Sequence, residues 1–324
     1  MTLIIGPNIS LDQTVSVPRL TVGTIHRVPT VIKQAGGKGV NVARAMRTIV
    51  FGYPLLCGCL GGDIGVAVEG YLVRERIRYR PFHTQGETRV CFSIADEATG
   101  EQTEVYENGA PLTQDEVARF VALAEELMAQ QANTTHSRWV GLTGSLPPGM
   151  PPDLYARLIA SARTHGLHTL LDAKGEALRA GLAAGPTLLK VNAAELGDAL
   201  GQSTLAQAEP AQVADVAAQA ISHIPAGMAV ITLGARGAVA VSSEGRWHVA
   251  SPPVEAISPV GSGDSVAGAM LTLLENSPLD AIALRAAVRY GVAAGAANTR
   301  HLGAAQFAEA EVKELLDKTQ VNPL

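Results

Sequence analysis

Residues 258–274 read SPVGSGDSVAGAMLTLL, and two features of this stretch decide how the rest of the chain is read. Val266, Ala269, Met270, Leu273 and Leu274 recur at the spacing of one helical face, so a helix is expected from about residue 263. Gly261, Ser262 and Gly263 come immediately before it. A turn there would aim backbone N–H groups out of the helix N-terminus, where the macrodipole also favours negative charge. Such a turn is a nest for an anion, and missing Cβ atoms let a phosphate come close to the backbone. Asp264, in the first helical turn, is then placed to be ionised and to accept a proton. A plainer reading of the same residues is a helix capped by Ser262 or Asp264. Two familiar phosphate loops are excluded. A Walker A loop needs Ser or Thr after Gly-Lys, and here Gly37–Lys38 continues with Gly39. A dinucleotide fingerprint needs a third glycine, and Val266 and Val42 stand at that place in the two candidate loops.

Outward from this turn the chain alternates apolar runs of β type with helical patterns. Strands are expected at 2–6, 54–60, 138–144, 167–173, 187–192 and 228–234, and helices at about 39–50, 64–77, 113–131, 151–165 and 209–223. Beyond residue 263 the pattern turns mostly helical. Repeated β-then-α order predicts an α/β fold with a mostly parallel sheet covered on both faces. Residues 11–34 and 87–107 interrupt the alternation as extended pairs, the second with DEATGEQ (96–102) as a hairpin turn. They are expected to form one small sheet standing off the main body. No repeat or linker marks an independent second domain, so residues 1–324 are expected to be a single unit.

Composition narrows the function classes. Hydrophobic residues make up 47% of the chain and charged ones 17%, which is ample for a buried core. The net charge of −5 and the lack of a basic run exclude electrostatic binding to nucleic acid or an anionic membrane. Three cysteines, Cys57, Cys59 and Cys91, fit a reducing compartment and no disulfide framework. Cys57 and Cys59 read as a buried strand, since no second Cys/His pair accompanies them for a metal. The opening MTLIIGPNIS lacks a basic stretch and has too short an apolar run for a signal peptide, so a cytoplasmic location is expected.

A second glycine-rich stretch lies near the other end of the chain. In QAGGKGVNVARAM (34–46), Gly36, Gly37 and Gly39 precede a helix with Val40, Ala43 and Met46 on its apolar face. Lys38 and Asn41 sit where backbone approach is easy; a capped helix start with a solvated lysine would read the same way. The pair AGGKGVNVARA and VGSGDSVAGAML resembles the two signature regions of the ribokinase-like (PfkB) carbohydrate kinases. GPNISLDQT (6–14), LTGSLPPGMPPDLYARLI (142–159), LLKVNAAEL (188–196), ITLGARGAV (231–239) and AAGAANTRHLGA (293–304) resemble further family segments, in the family's order along nearly the whole chain. LTGSLPPG and GETR (86–89) resemble the 1-phosphofructokinase and tagatose-6-phosphate kinase branch.

The resemblance implies a three-layer α/β/α sandwich with a mostly parallel central sheet and a small β-sheet lid, and an ATP-dependent phosphotransferase acting on an alcohol group. Asp264 is the expected base, and Gly261, Ser262 and Gly263 the expected anion nest. Asp12, Gly37, Lys38 and Asn41 are expected on the sugar, with Arg27 and Arg89 gripping a phosphate already on the substrate, a task suited to the planar fork of arginine. Lys190, Asn192, Glu195, Thr232, Gly234, Gly237 and Asn298 are expected around the nucleotide, with Glu195 organising Mg²⁺ through water. The expected substrate is a ketohexose monophosphate, fructose 1-phosphate or tagatose 6-phosphate; fructose 6-phosphate or a broader range is the alternative. A non-catalytic sugar-phosphate or nucleotide sensor is a reading of another class, disfavoured by the retention of Asp264 and its glycines. The lid implies a homodimer. Pro259, Ser258 and Val191 depart from the family pattern; the first two bear on a monovalent-cation site, and none removes a proposed catalytic group.

Overall fold

The structure, a computed structural model, describes residues 1–49, 52–134 and 137–324. From the N-terminus come β1 (Thr2–Asn8), β2 (Ser10–Val17), β3 (Ile32–Gly36), α1 (Lys38–Thr48), β4 (Pro54–Leu60), α2 (Gly62–Arg74) and β5 (Arg78–His83). Then follow β6 (Arg89–Asp96), β7 (Gln102–Tyr106), α3 (Gln114–Thr134), β8 (Trp139–Thr143), α4 (Leu154–Thr164), β9 (His168–Asp172), α5 (Gly175–Ala183), β10 (Leu188–Asn192) and α6 (Ala193–Leu200). The chain ends with α7 (Pro210–Ile221), β11 (Met228–Thr232), β12 (Ala238–Ser242), β13 (Gly245–Ala250), α8 (Ser262–Leu274), α9 (Ala281–Thr299), α10 (Glu309–Leu316) and β14 (Gln320–Pro323).

Ten strands form one sheet in the order β14-β13-β12-β11-β10-β9-β8-β1-β4-β5. From β11 to β5 all neighbours are parallel; β12, β13 and β14 add an antiparallel edge. Alternation within each strand sends side chains to opposite faces. Leu3, Ile5, Leu171, Leu189 and Ile231 join the core under α3 to α7, whereas Ile4, Leu170, Leu188 and Val230 join the core under α1, α2, α8 and α9. This is the expected three-layer sandwich.

All six expected strands of the main sheet are present, and the expected helices agree to within a turn; the expected last residue of the first helix, 50, lies outside the described residues. The alternation overlooked α5 and α6, which are nine and eight residues long and too short to carry a clear period. It also overlooked β5 and the edge strands β12 to β14. Cys57 and Cys59 are buried in β4, as read. Among the described residues no helix is long and apolar enough to cross a membrane.

The interrupting segments do form a small sheet, in the order β3-β2-β6-β7. β6 and β7 are the expected antiparallel hairpin, and β2 pairs with β6 in parallel. Residues 18–31 are not strand, however. Pro18 ends β2, since a proline nitrogen cannot donate to a ladder, and pairing resumes only at Ile32.

Candidate active site

The two glycine stretches meet. The parallel strands end on one side of the sheet, and there β1, β8, β10 and β11 deliver their last residues to two adjoining cavities of about 490 and 700 Å³. Ligands of open α/β sheets bind at these carboxyl ends. Lys38 and Glu195 line both cavities and mark the point where they join.

The smaller cavity holds Asp12, Gly37, Lys38, Asn41 and Arg89. Asp12 crosses Gly36 so closely that a Cβ there would lie 1.9 Å from the Asp12 carboxyl carbon. Its Oδ1 accepts a 2.6 Å bond from Ser10 Oγ. Burial raises the Asp12 pKa above its usual range, with Ser10, Arg44, Arg89 and the Gly37 backbone opposing. Arg89, at the start of β6, donates from Nη2 to Asn8 O at 3.2 Å and from Nη1 to Glu107 O and Cys91 Sγ at 3.3 and 3.2 Å. Its Nε is buried without a partner. The side chain therefore faces the cavity while bracing the lid against the end of β1.

The larger cavity holds Lys190, Asn192, Glu195, Thr232, Gly234 and Gly237 on one wall. Gly261, Ser262, Gly263 and Asp264 form the opposite wall, with Ala296 and Thr299 beside them. The turn has the form its glycines predict: Gly261 is left-handed (φ 77°) at the cap position of α8, and no side chain caps that helix. A Cβ on Gly261 would also sit 2.5 Å from Ala304 Cβ, so glycine is needed there twice over. The capping alternative fails for α1 too, where Gly37 is the cap residue and no side chain bonds to the helix start.

Asp264 reaches instead to Asn41, which lines the smaller cavity. Asn41 Nδ2 donates to its Oδ2 at 2.8 Å, joining the two signature stretches directly. Burial pushes its pKa up to about 6; Asp172 adds to the rise, while Lys38, Lys190 and the Asn41 bond oppose it. Lys38 is not a solvated lysine. Its Nζ donates to Asp172 Oδ1 at 2.7 Å and Glu195 Oε1 at 3.3 Å. Burial works against its charge, but Asp172, Glu195 and Asp264 outweigh it and hold the ammonium firmly protonated. Lys190 is bound to the other oxygen of Asp172 at 2.6 Å. Burial alone would raise Asp172, but the two lysines hold it below the ordinary carboxylate range.

Asn192 and Glu195 do face one another, in a way the sequence reading missed: they form a capping box at the start of α6. Asn192 Oδ1 accepts from Glu195 N, and Glu195 Oε2 accepts from Asn192 N at 3.0 Å. The box aims Glu195 Oε1 at Lys38.

Two expected site residues stand elsewhere. Arg27 is exposed in the irregular segment 18–31 and lines neither cavity, because the strand that was to carry it inward stops at Pro18. Asn298 is fully buried behind the nest. Its Nδ2 donates to Val260 O at 2.8 Å and Ser262 Oγ at 3.0 Å, so it buttresses the turn and does not reach the cavity. Conversely, the sequence reading passed over Asn8, Ser145 and Lys174, which line the smaller cavity, and Asp172, which holds both lysines. Asp172 had one available signal: a carboxylate closing an otherwise apolar strand, LHTLLD.

The profile of the pfkB family carbohydrate kinases matches residues 8–311. Escherichia coli phosphofructokinase-2, solved in complex with potassium, is 30% identical with a TM-score of 0.86, each chain covered to 98%. The same enzyme solved with fructose-6-phosphate gives 30% identity, a TM-score of 0.84 and the same coverage. A Thermotoga maritima protein described as a possible 1-phosphofructokinase superposes with a TM-score of 0.85 over 100% of this chain and 99% of its own. At 19% identity it bears on the fold alone.

Proposed function

The chain belongs to the pfkB family of carbohydrate kinases, and from that premise we propose that it transfers the γ-phosphoryl group of ATP to a hydroxyl of a ketohexose monophosphate. One observation carries the reading: the Asn41–Asp264 bond sets a buried carboxylate of raised pKa at the junction of a sugar-sized cavity and a glycine anion nest. Fructose 6-phosphate is the first substrate to try, because the 30% identical relative was solved with it. Fructose 1-phosphate and tagatose 6-phosphate are the other two.

In this reading Asp12 accepts a hydrogen bond from a sugar hydroxyl and fixes the ring. Asp264 takes the proton of the attacking hydroxyl, and a pKa of about 6 suits a base working near neutrality. Backbone N–H groups of Gly261 and Gly263 receive the negative charge that develops on the transferring group, while that of Ser262 holds the turn through Pro259 O at 3.2 Å. Lys38 and Lys190, fixed by Asp172, add two positive charges that cannot swing away. Arg89 supplies the cation for the phosphate already on the sugar.

The donor set also fits one Mg²⁺ held largely by the nucleotide. Among the described residues no three His, Cys, Asp or Glu side chains cluster as a protein-only site. Mg²⁺ keeps several waters and takes only one or two carboxylates besides phosphates. Glu195 would hold it through water, and the bound ion would neutralise phosphate charge.

We also read the lid as a pairing surface between two copies of the chain. Among the described residues β7 is an unpaired edge of the small sheet; Val105 on it is 63% exposed, and Val22 and Ile25 in the β2–β3 connection are 96% and 81% exposed. The test of the catalytic reading is ADP release with ATP and each of fructose 6-phosphate, fructose 1-phosphate, tagatose 6-phosphate and the free ketohexoses. Preference for a free sugar over every phosphorylated one would overturn it.

A further inference from the structure

Arg44 lies on α1 one turn past Asn41, is 5% exposed and lines neither cavity. A guanidinium carries five N–H donors in a rigid plane and no acceptor. Here every donor is used. Nε and Nη2 fork onto the Glu75 carboxylate at 2.5 and 3.0 Å, and Nη2 also reaches Ala35 O at 2.6 Å. Nη1 donates to Asn41 Oδ1 at 2.9 Å and to Ala304 O at 3.1 Å.

We propose that Arg44 is a positioning residue for phosphoryl transfer: it dictates which end of the Asn41 amide faces Asp264. An amide has one accepting end and one donating end. Because the guanidinium can only donate, Asn41 must turn Oδ1 toward it, which leaves Nδ2 for Asp264. With the opposite orientation a carbonyl oxygen would meet the carboxylate and repel its ionised form. The same side chain ties down two more parts of the site. Ala304 is the wall against which Gly261 of the nest packs, and Ala35 belongs to lid strand β3. Gln34 of that strand donates to the same Ala304 carbonyl at 3.4 Å. One guanidinium thus keeps base, nest and lid root in register.

The proposal rests on Asp264 being the base. The groups facing Asp264 are Lys38 and Asn41 from α1, Asp172 from β9 and Lys190 from β10. Arg44 works on it through Asn41.

Arg44→Lys keeps the charge and removes the fork. The expected result is a fall of about tenfold in kcat, with KM for both substrates within about twofold. The acidic limb of kcat/KM should move to higher pH, because a carboxylate that loses a donated bond holds its proton more tightly. In an Asn41→Ala background, Arg44→Lys should leave the acidic limb where Asn41→Ala alone puts it. Glu75→Gln, which loosens the fork from the far side, should shift the limb the same way by less, and it serves if Arg44→Lys does not fold. Additive shifts of the limb in the double variant, or a lowered Tm with kcat and the limb unmoved, would overturn the proposal. Asp264→Asn separates the two levels. Near-normal turnover in that variant removes the base itself, whereas a large loss beside additive Arg44 and Asn41 effects removes only the relay.

Discussion

The glycine turn before α8 and the small sheet line two adjoining cavities, yet they are built in opposite ways. The nest is local. Its glycines, its helix and its carboxylate are consecutive, and its main external supports, Asn298 and Ala304, come from the next helix and the loop after it. The lid is assembled at a distance. β2 and β3 are separated by an irregular segment, β2 pairs in parallel with a strand far along the chain, and Arg89 reaches back to the carbonyl of Asn8. A site element made of neighbours tolerates little change at any one residue. One made of long-range contacts divides its energy among many. Substitutions should therefore cost more on the nest side.

The sharpest break is Asp264→Asn. It should lower kcat by about 10²–10⁴, the share of a positioned base, measured at saturating ATP and sugar phosphate. Stability should move the other way. Because the folded pKa of Asp264 is raised to about 6, folding favours its protonated form. Its contribution is fully stabilising only below the unfolded value of 3.8 and is lost as pH rises through about 6. The asparagine variant should then melt above the parent at pH 7–8 and converge with it below about pH 4. The parent's kcat/KM should fall on the acid side with an apparent pKa near 6. A lower Tm for the variant at pH 8 would mean that lysine pairing, not burial, dominates this carboxylate.

A matched pair of glycines tests the same contrast by stability alone. Gly261 and Gly23 both have positive φ, 77° and 82°, but a Cβ on Gly261 meets Ala304 whereas one on Gly23 meets open space. Gly23→Ala should cost about 1–2 kcal/mol, the left-handed penalty. Gly261→Ala should cost about 1–3 kcal/mol more, from overpacking, and should raise KM for ATP. Equal losses by denaturant titration would show that the nest is as yielding as the loop.

On the lid side, Arg89→Ala should lower kcat/KM for the sugar phosphate by about ten- to a hundredfold, the usual worth of one charge-assisted hydrogen bond, with KM for ATP nearly unchanged. Its bonds to Asn8 and Glu107 make the control essential. If activity on the free sugar falls equally, Arg89 serves to brace the lid and the phosphate is gripped elsewhere. The smallest effect on chemistry is expected from Ile25→Asp with Val105→Asp. Sedimentation at micromolar concentration should show the parent as a dimer and this variant shifted to monomer. A parent already monomeric and fully active would remove the lid from any assembly.

Much of this site is legible in the sequence because local backbone rules write it there. The glycine–aspartate turn, the second glycine stretch and the β-then-α order are short-range patterns, and each appears where it was expected. Asn192 and Glu195 were expected from the resemblance of LLKVNAAEL, although the capping box that joins them was not. What only the tertiary structure decided is which side chains converge. Lys38 and Asp172 lie 134 residues apart, and no periodicity in either segment announces that they touch. Arg44 reads as one more polar position on an amphipathic helix until five acceptors from four separate segments are found around it. Asn298 and Arg27 stand apart for two other reasons: the sequence located the helix of Asn298 but not the direction of its side chain, and it set Arg27 in a strand that stops at Pro18. Spacing along the chain fixes backbone geometry within an element. Direction toward a neighbour depends on how elements pack, and that is settled by burial over the whole molecule.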